Sequence, residues 1–208
     1  MADPAPVAVL AKAPIAGFAK TRLAPVLGSE GAAALQARLL DRAIATACAA
    51  SVGPVTLWVT PNVEHPVVRS VCEHFGVTVA LQPEGDLGVR MLTAMPARNG
   101  LIIGTDCPAL TPSHLHIAAN VLRDGTDVVV VPVEDGGYAL IGMRVPEPAL
   151  FVDMPWSTPE VMAQTRRRLR QLRLSWQEPV TLWDVDVPED LKRLAGIGLA
   201  DFLTTGIS

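Results

Sequence analysis

The segment Ala11-Lys12-Ala13-Pro14-Ile15-Ala16-Gly17-Phe18-Ala19-Lys20-Thr21-Arg22-Leu23 holds two of the three lysines of a 208-residue chain that otherwise takes its positive charge from arginine. Compact ammonium charges beside a glycine suit a polyphosphate, because lysine is a point charge and glycine lets backbone N–H groups approach an anion. Lys12, Lys20 and Arg22 are therefore candidate phosphate ligands, with Gly17 as the point of close approach and Ala11 ending the preceding apolar run. The alternative is a solvated surface loop. Neither G-x-x-x-x-G-K-[ST] nor G-x-G-x-x-G occurs here, so the loop is not one of the common phosphate-binding turns.

Asp106, in Gly104-Thr105-Asp106-Cys107-Pro108, follows the apolar run Leu101-Ile102-Ile103 and should emerge at the carboxyl edge of a strand. Mg²⁺ or Mn²⁺ is commonly held by one or two protein carboxylates while substrate phosphates and water complete the shell, so a second acid is needed nearby. Asp186 in Asp184-Val185-Asp186-Val187-Pro188-Glu189-Asp190 can supply it, with Asp184 in reserve. Read locally, Asp106 is a turn residue and Asp186 an N-cap before a helix starting near Pro188. Cys107 has no identifiable histidine partner and reads as a small buried residue.

Three further loops carry binding chemistry. Glu134-Asp135-Gly136-Gly137-Tyr138 lies between apolar runs and is first a hairpin signal; functionally, Gly136 and Gly137 open the backbone to an acceptor that Asp135 or Tyr138 would contact. In Trp156-Ser157-Thr158-Pro159-Glu160, Ser157 and Glu160 have capping-box spacing, which predicts a helix start whose free amides could also hold an anion, with Ser157 and Thr158 on the acceptor side. Gln82-Pro83-Glu84-Gly85-Asp86-Leu87-Gly88-Val89-Arg90 could surround a nucleobase, since Gly85 and Gly88 allow close approach. The arginines between Arg166 and Arg173 read as a wet helix face, and His114 and His116 lack metal-pair spacing.

The elements that must position these loops alternate. Short Val/Ile/Leu runs at Val7–Ala11, Val55–Thr60, Val77–Gln82, Leu101–Thr105, Val128–Val133 and Tyr138–Met143 predict strands, and helical periodicity fills about 30–50, 64–75, 86–95, 112–123, 158–171 and 188–203. The pattern predicts an α/β, Rossmann-like, mostly parallel sheet flanked by helices in one domain over 1–208, with Gly136 to Trp183 as a small mixed region covering the sheet. Ligands of such sheets sit beyond the carboxyl ends of the strands, where the candidate loops fall.

Composition narrows the partners. A net charge of −4 lacks the basic footprint of a binder of polymeric nucleic acid, and no apolar run approaches the roughly 20 residues that cross a bilayer. Three cysteines without C-x-x-C spacing and an N-terminus without a basic flank point to a reduced, cytoplasmic chain. The oligomeric state is open, a homodimer included.

Taken in order, A-K-A-P-x-x-G-x-x-K-T-R-L at 11–23, G-D-L-G at 85–88, G-T-D-C-P at 104–108, D-G-G-Y at 135–138, W-S-T at 156–158 and D-V-P-E-D at 186–190 closely resemble the DUF2064 family, known as transferase 1, rSAM/selenodomain-associated. The resemblance covers about residues 7–194. It implies a GT-A-like, nucleotide-diphospho-sugar transferase fold related to the 2-phospho-lactate and molybdenum-cofactor guanylyltransferases. It further implies that Ala11, Lys12, Gly17, Lys20 and Arg22 hold nucleotide phosphates, that Gln82, Gly85 and Gly88 lie near the base, and that Asp106 and Asp186 hold Mg²⁺ or Mn²⁺. Lys12-Ala13-Pro14 stands where many nucleotidyltransferases have a Gly-Gly turn. The expected activity is nucleotidyl transfer from an NTP to a small phosphorylated or carboxylated acceptor with release of pyrophosphate, with Lys20, Asp106 and Asp186 as catalytic residues. The alternatives are glycosyl transfer from an NDP-sugar and non-catalytic nucleotide binding; for the former, Asp106-Cys107-Pro108 stands where an Asp-x-Asp motif is expected.

Overall fold

The computed structural model describes residues 3–198. The aliphatic runs form β1 (Val7–Lys12), β2 (Val55–Thr60), β3 (Thr78–Leu81), β4 (Gly100–Gly104), β5 (Val128–Pro132) and β6 (Tyr138–Met143), each within a residue of its expected ends. A two-residue β7 (Trp176–Gln177), too short to leave a periodic signature, completes one seven-stranded sheet in the order β3-β2-β1-β4-β6-β5-β7. Pairing is parallel except for β6, which runs antiparallel to both β4 and β5. The sheet is thus mostly parallel, as expected.

Helices cover both faces: α1 (Ala24–Ala50), α2 (Pro66–Phe75), α3 (Leu87–Ala94), α4 (Pro112–Arg123), α5 (Val161–Leu172) and the short α6 (Leu191–Leu194). Successive strand residues point to opposite sides. Val9, Leu101, Ile103 and Val131 pack with Ile44 of α1, Val68 of α2 and Leu115 of α4, while Ile102, Val130 and Ile141 pack on the other side with Met91 of α3 and Met162 and Leu169 of α5. With both faces dry in the central strands β1, β4, β5 and β6, their positions on either side must be apolar, which is why these four read as continuous hydrophobic runs. A third cluster, Leu23, Leu35, Leu39, Val185, Leu191 and Leu194, fastens the last described segment to the start of α1.

Several boundaries depart from expectation for local reasons. Helix α1 starts at Ala24 but is interrupted at Gly28, whose φ of +71° is non-helical. Helix α5 starts at Val161, not at the expected capping box: Ser157 has a left-handed φ of +64° and Glu160 occupies the N-cap position without a side-chain cap bond. The helix expected over 188–203 is a 3-10 turn at Pro188–Asp190, then α6, then a 3-10 turn at Ala195–Ile197; positions 199–203 lie outside the described residues. Gly136 to Trp183 is the mixed region expected, covering one face of the sheet through Phe151 and through Met162 and Leu169 of α5, but it also enters the sheet itself. Its strand β6 is inserted between β4 and β5, and Asp127 draws in the start of β7 by accepting from the Ser175 N–H (2.9 Å) and hydroxyl (2.7 Å).

Among the described residues no helix is long and apolar enough to cross a membrane. The chain leaves β1 toward β2 on one side and later returns to place β4 on the other, so the carboxyl ends of β1 and β4 flank a topological switch point where a crevice opens.

Candidate functional site

A cleft of about 920 Å³ lies over that switch point. One wall is cationic: Ala11 and Lys12 come from β1, and Lys20, Thr21 and Arg22 from the turn after it. Gln82 and Gly85 follow β3, and Arg90 projects from the first turns of α3. Thr105 and Asp106 form the edge at the end of β4. The opposite wall consists of Asp135, Gly137 and Tyr138 from the β5–β6 hairpin and Trp156, Ser157 and Thr158 from the loop before α5, with Asp184 and Asp186 beside them.

Three expected ligands fall outside this lining. Gly17 supplies a φ of +76° to the turn before Lys20. Gly88 is a packing glycine, because a Cβ there would stand 2.3 Å from the Phe151 carbonyl oxygen. Gly136 combines a φ of +93° with backbone contact: a Cβ would meet the Pro159 oxygen at 2.2 Å, and its own carbonyl accepts from the Met162 N–H at 2.8 Å. It docks the hairpin on the start of α5.

Lys20 is the centre of the site. Its side chain is only 5 % exposed, and its ammonium donates to Asp106 Oδ1 at 2.6 Å, Asp186 Oδ1 at 3.0 Å and the Val185 carbonyl at 2.6 Å. Burial opposes the charge, but the two carboxylates outweigh it and hold the ammonium above the ordinary lysine pKa. The backbone that aims this side chain is left-handed, φ +49°, an uncommon state for a residue with a Cβ; buried Ala19 and Leu23 flank it. Asp106 is positioned in turn: Gln36 on α1, 2 % exposed, donates to the Lys12 carbonyl and to Thr105 Oγ1, both at 3.1 Å, and the Thr105 hydroxyl donates to Asp106 Oδ1 at 3.3 Å.

The sequence pairs Asp106 with Asp186, yet Lys20 bridges those two, and the carboxylates that cluster are Asp135, Asp184 and Asp186, with ligand oxygens within 4.8 Å of one another. Tertiary pairing brings them together. Leu182 bridges Val133, the Leu182 N–H donates to the Pro132 carbonyl, and the Val185 N–H donates to the Asp106 carbonyl at 2.8 Å, laying 182–186 along the ends of β5 and β4. Asp186 is not an N-cap. The capping carboxylate is Asp190, which accepts from the Asp186 and Val187 N–H groups at 2.9 Å each. Asp184 is pushed up to about 7 by burial and by the charges of Asp135 and Asp186. Three hard oxygen donors with too little compensating charge are a donor set that fits Mg²⁺ or Mn²⁺.

Gln82, 8 % exposed, donates its amide to the Ala11 and Trp58 carbonyls, both at 2.9 Å, which ties the loop after β3 to β1 and β2 and fixes the amide's orientation. Cys107 is buried, its thiol pushed up to about 12 by burial, as a structural residue would be. Sequence reasoning missed Gln36, which helical periodicity marks as core, and left Arg90 and Trp156 without roles. Arg90 Nε donates to the Gly85 carbonyl at 3.2 Å, and Trp156 stands edge-to-face with Tyr138 at 6.5 Å.

No curated protein matches the chain. Among solved structures, a candidate nucleotide-diphospho-sugar transferase from Desulfovibrio desulfuricans G20 is 26% identical, with a TM-score of 0.79 over 88% of this chain and 82% of that one. The CTP:phosphocholine cytidylyltransferase of Streptococcus pneumoniae is 13% identical, with a TM-score of 0.59 over 94% and 99% of the two chains. Glucosyl-3-phosphoglycerate synthase from Mycobacterium tuberculosis, solved with Mn²⁺, UDP and glucosyl-3-phosphoglycerate, is 12% identical, with a TM-score of 0.55 over 98% and 80%. The fold is that of the nucleotide-diphospho-sugar transferases, whose members here include both nucleotidyl- and glycosyltransferases. The profile of the family described as uncharacterized protein conserved in bacteria (DUF2064) matches residues 39–158, more than half of the sequence, and the chain belongs to the DUF2064 family.

Proposed function

We propose that this protein is a divalent-metal-dependent nucleotidyltransferase that joins an NTP to a small-molecule acceptor and releases pyrophosphate. The observation that carries the reading is the charge arrangement: Lys12, Lys20, Arg22 and Arg90 line one side of the cleft, facing Asp135, Asp184 and Asp186. That is more positive charge than a diphosphate needs. Asp184 and Asp186, with Asp135 or Asp106, would hold Mg²⁺ or Mn²⁺, which when bound supplies neutralisation of phosphate charge and polarisation of the α-phosphorus.

The chain's own residues then bind and orient. Lys12, Lys20 and Arg22 hold the phosphates, and Gln82 and Gly85 border the base. An acceptor oxygen attacks the α-phosphorus as the bond to the β-phosphate bridging oxygen breaks, so the electron pair leaves with pyrophosphate. No protein nucleophile takes part; positioning and charge stabilisation do the work, each an effect of several kcal/mol in comparable sites. Asp135, Gly137, Tyr138, Ser157 and Thr158 face the acceptor.

One observation favours a second reading, glycosyl transfer from an NDP-sugar. Every lining residue from Val133 onward is neutral or acidic, so the wall of Tyr138, Trp156, Ser157 and Thr158 offers hydroxyls and rings but no cation, which suits a sugar better than the phosphorylated or carboxylated acceptor expected from sequence. Product analysis separates the two. Incubation with Mn²⁺, an NTP and a pool of small metabolites is expected to release pyrophosphate; NDP release from an NDP-sugar, with no pyrophosphate from any NTP, would replace the first reading by the second.

A further inference from the structure

We infer that Lys20 is the cleft's resident counter-ion, neutralising its carboxylates whenever no divalent cation is bound and moving to a nucleotide phosphate when cation and nucleotide bind; the second half of this rests on the proposed nucleotide binding. The geometry is specific. An ammonium has three N–H donors, and all three of Lys20's are engaged, by Asp106, Asp186 and the Val185 carbonyl. It has no donor left for a phosphate unless it gives one of these up.

The longest of the three is the 3.0 Å bond to Asp186, the carboxylate that Lys20 shares with the cluster of Asp135 and Asp184. Lys20 therefore competes with any cation for that carboxylate. It cannot simply be lost, because a side chain 5 % exposed is poorly solvated and an unpaired ammonium there is costly. A phosphate is the replacement acceptor that the cationic wall is built to receive. Lys20 accordingly couples two events: it opposes cation binding while the cleft holds no nucleotide, and favours it when a phosphate takes over the ammonium. Such a coupling is reciprocal, so cation and nucleotide strengthen each other's binding.

The test is a Mn²⁺ titration of wild type and Lys20→Gln, read by the free-ion EPR signal, with and without a non-hydrolysable α,β-methylene NTP. Without nucleotide, Lys20→Gln is expected to bind Mn²⁺ more tightly than wild type, by about 5–150-fold, the usual span of a coupling between sites, and to lose most of the enhancement that nucleotide brings to wild type. A companion measurement uses unmodified protein: acetic anhydride labelling of its three lysines, read by peptide mass. Mn²⁺ alone is expected to accelerate labelling of Lys20 and leave Lys12 and Lys192 unchanged, and added nucleotide to suppress it again. Mn²⁺ affinity that is equal or weaker in Lys20→Gln, or Lys20 labelling indifferent to Mn²⁺, overturns the inference. Nucleotide that fails to bind wild type at any Mn²⁺ concentration instead overturns the proposed function, while the Mn²⁺-only arms still decide the counter-ion role.

Discussion

Asp184 and Asp186 differ in what they can lose. Asp186 Oδ1 accepts from Lys20, and Asp184 is held near Asp135 and Asp186 with its carboxyl pushed up to about 7 by burial and by their charge. Replacing either by Asn removes a hard, anionic oxygen donor while keeping the volume, so Asp184→Asn and Asp186→Asn are each expected to abolish metal-dependent nucleotide binding with an unchanged far-UV spectrum. Calorimetric titration with Mg²⁺–NTP checks this; wild-type affinity in both variants would remove the cluster from the metal site. Lys20→Ala is expected to weaken NTP binding by about 1–3 kcal/mol, the range for a charge-assisted hydrogen bond, and to spare nucleoside binding. Equal losses for the two ligands would mark Lys20 as a folding residue.

Elements deliver these residues through a few close packings. The start of α3 lies so near the segment ending in Phe151 that no Cβ fits at Gly88, since the opposing atom is a backbone oxygen that cannot rotate away. Gly88→Ala should therefore cost about 1–3 kcal/mol by overpacking, seen as a lower urea midpoint at constant slope, whereas Gly17→Ala, with nothing within 4 Å of its Cβ, should cost only the strain of its positive φ. Across the sheet edge, Arg166 of α5 donates to both oxygens of Glu178 just beyond β7, at 2.6 to 3.2 Å. The Arg166 hydrogen bonds hold the Glu178 carboxyl below the usual glutamate range. A depressed folded pKa means that the pair's contribution is present above pH 4.5 and disappears as pH falls through the lower folded value. The stability difference between wild type and Glu178→Gln is expected to be small at pH 7, under about 1 kcal/mol for so exposed a pair, and to vanish in acid. A difference that grows on acidification would contradict the assignment.

The molecule as a whole buries the sheet on both faces and leaves its ligand chemistry at one edge, so ligand binding should stabilise the entire cooperative unit. An NTP with Mg²⁺ at about 100 times its Kd adds about 2.7 kcal/mol by mass action, which for a chain of this size raises the Tm by about 5–10 °C. A thermal-shift panel of NTPs and NDP-sugars, with and without Mg²⁺, reads this directly. A shift with no NTP or NDP-sugar, at concentrations that saturate related enzymes, would leave the cleft without its proposed donor.

Local sequence determines the part of this protein that local physics controls. The Val and Ile runs place the six longer strands within a residue, most clearly in β1, β4, β5 and β6, where a strand buried on both faces must be apolar nearly throughout. The cationic loop is equally legible, because two of three lysines in one short segment have no packing purpose. Tertiary structure alone decided which of these groups meet. Lys20 and Val185 are 165 residues apart in sequence, and only the bridge from Val133 to Leu182 and the bond from Val185 to Asp106 bring the last acidic motif to the first basic one. The same long-range pairing gathered Asp135 with Asp184 and Asp186 and left Asp106 to Lys20, and it made Gly88 a packing residue by setting Phe151 against it. Periodicity and turn chemistry record what a residue does within its own element; which oxygen faces which ammonium depends on how strands far apart in the chain lie side by side.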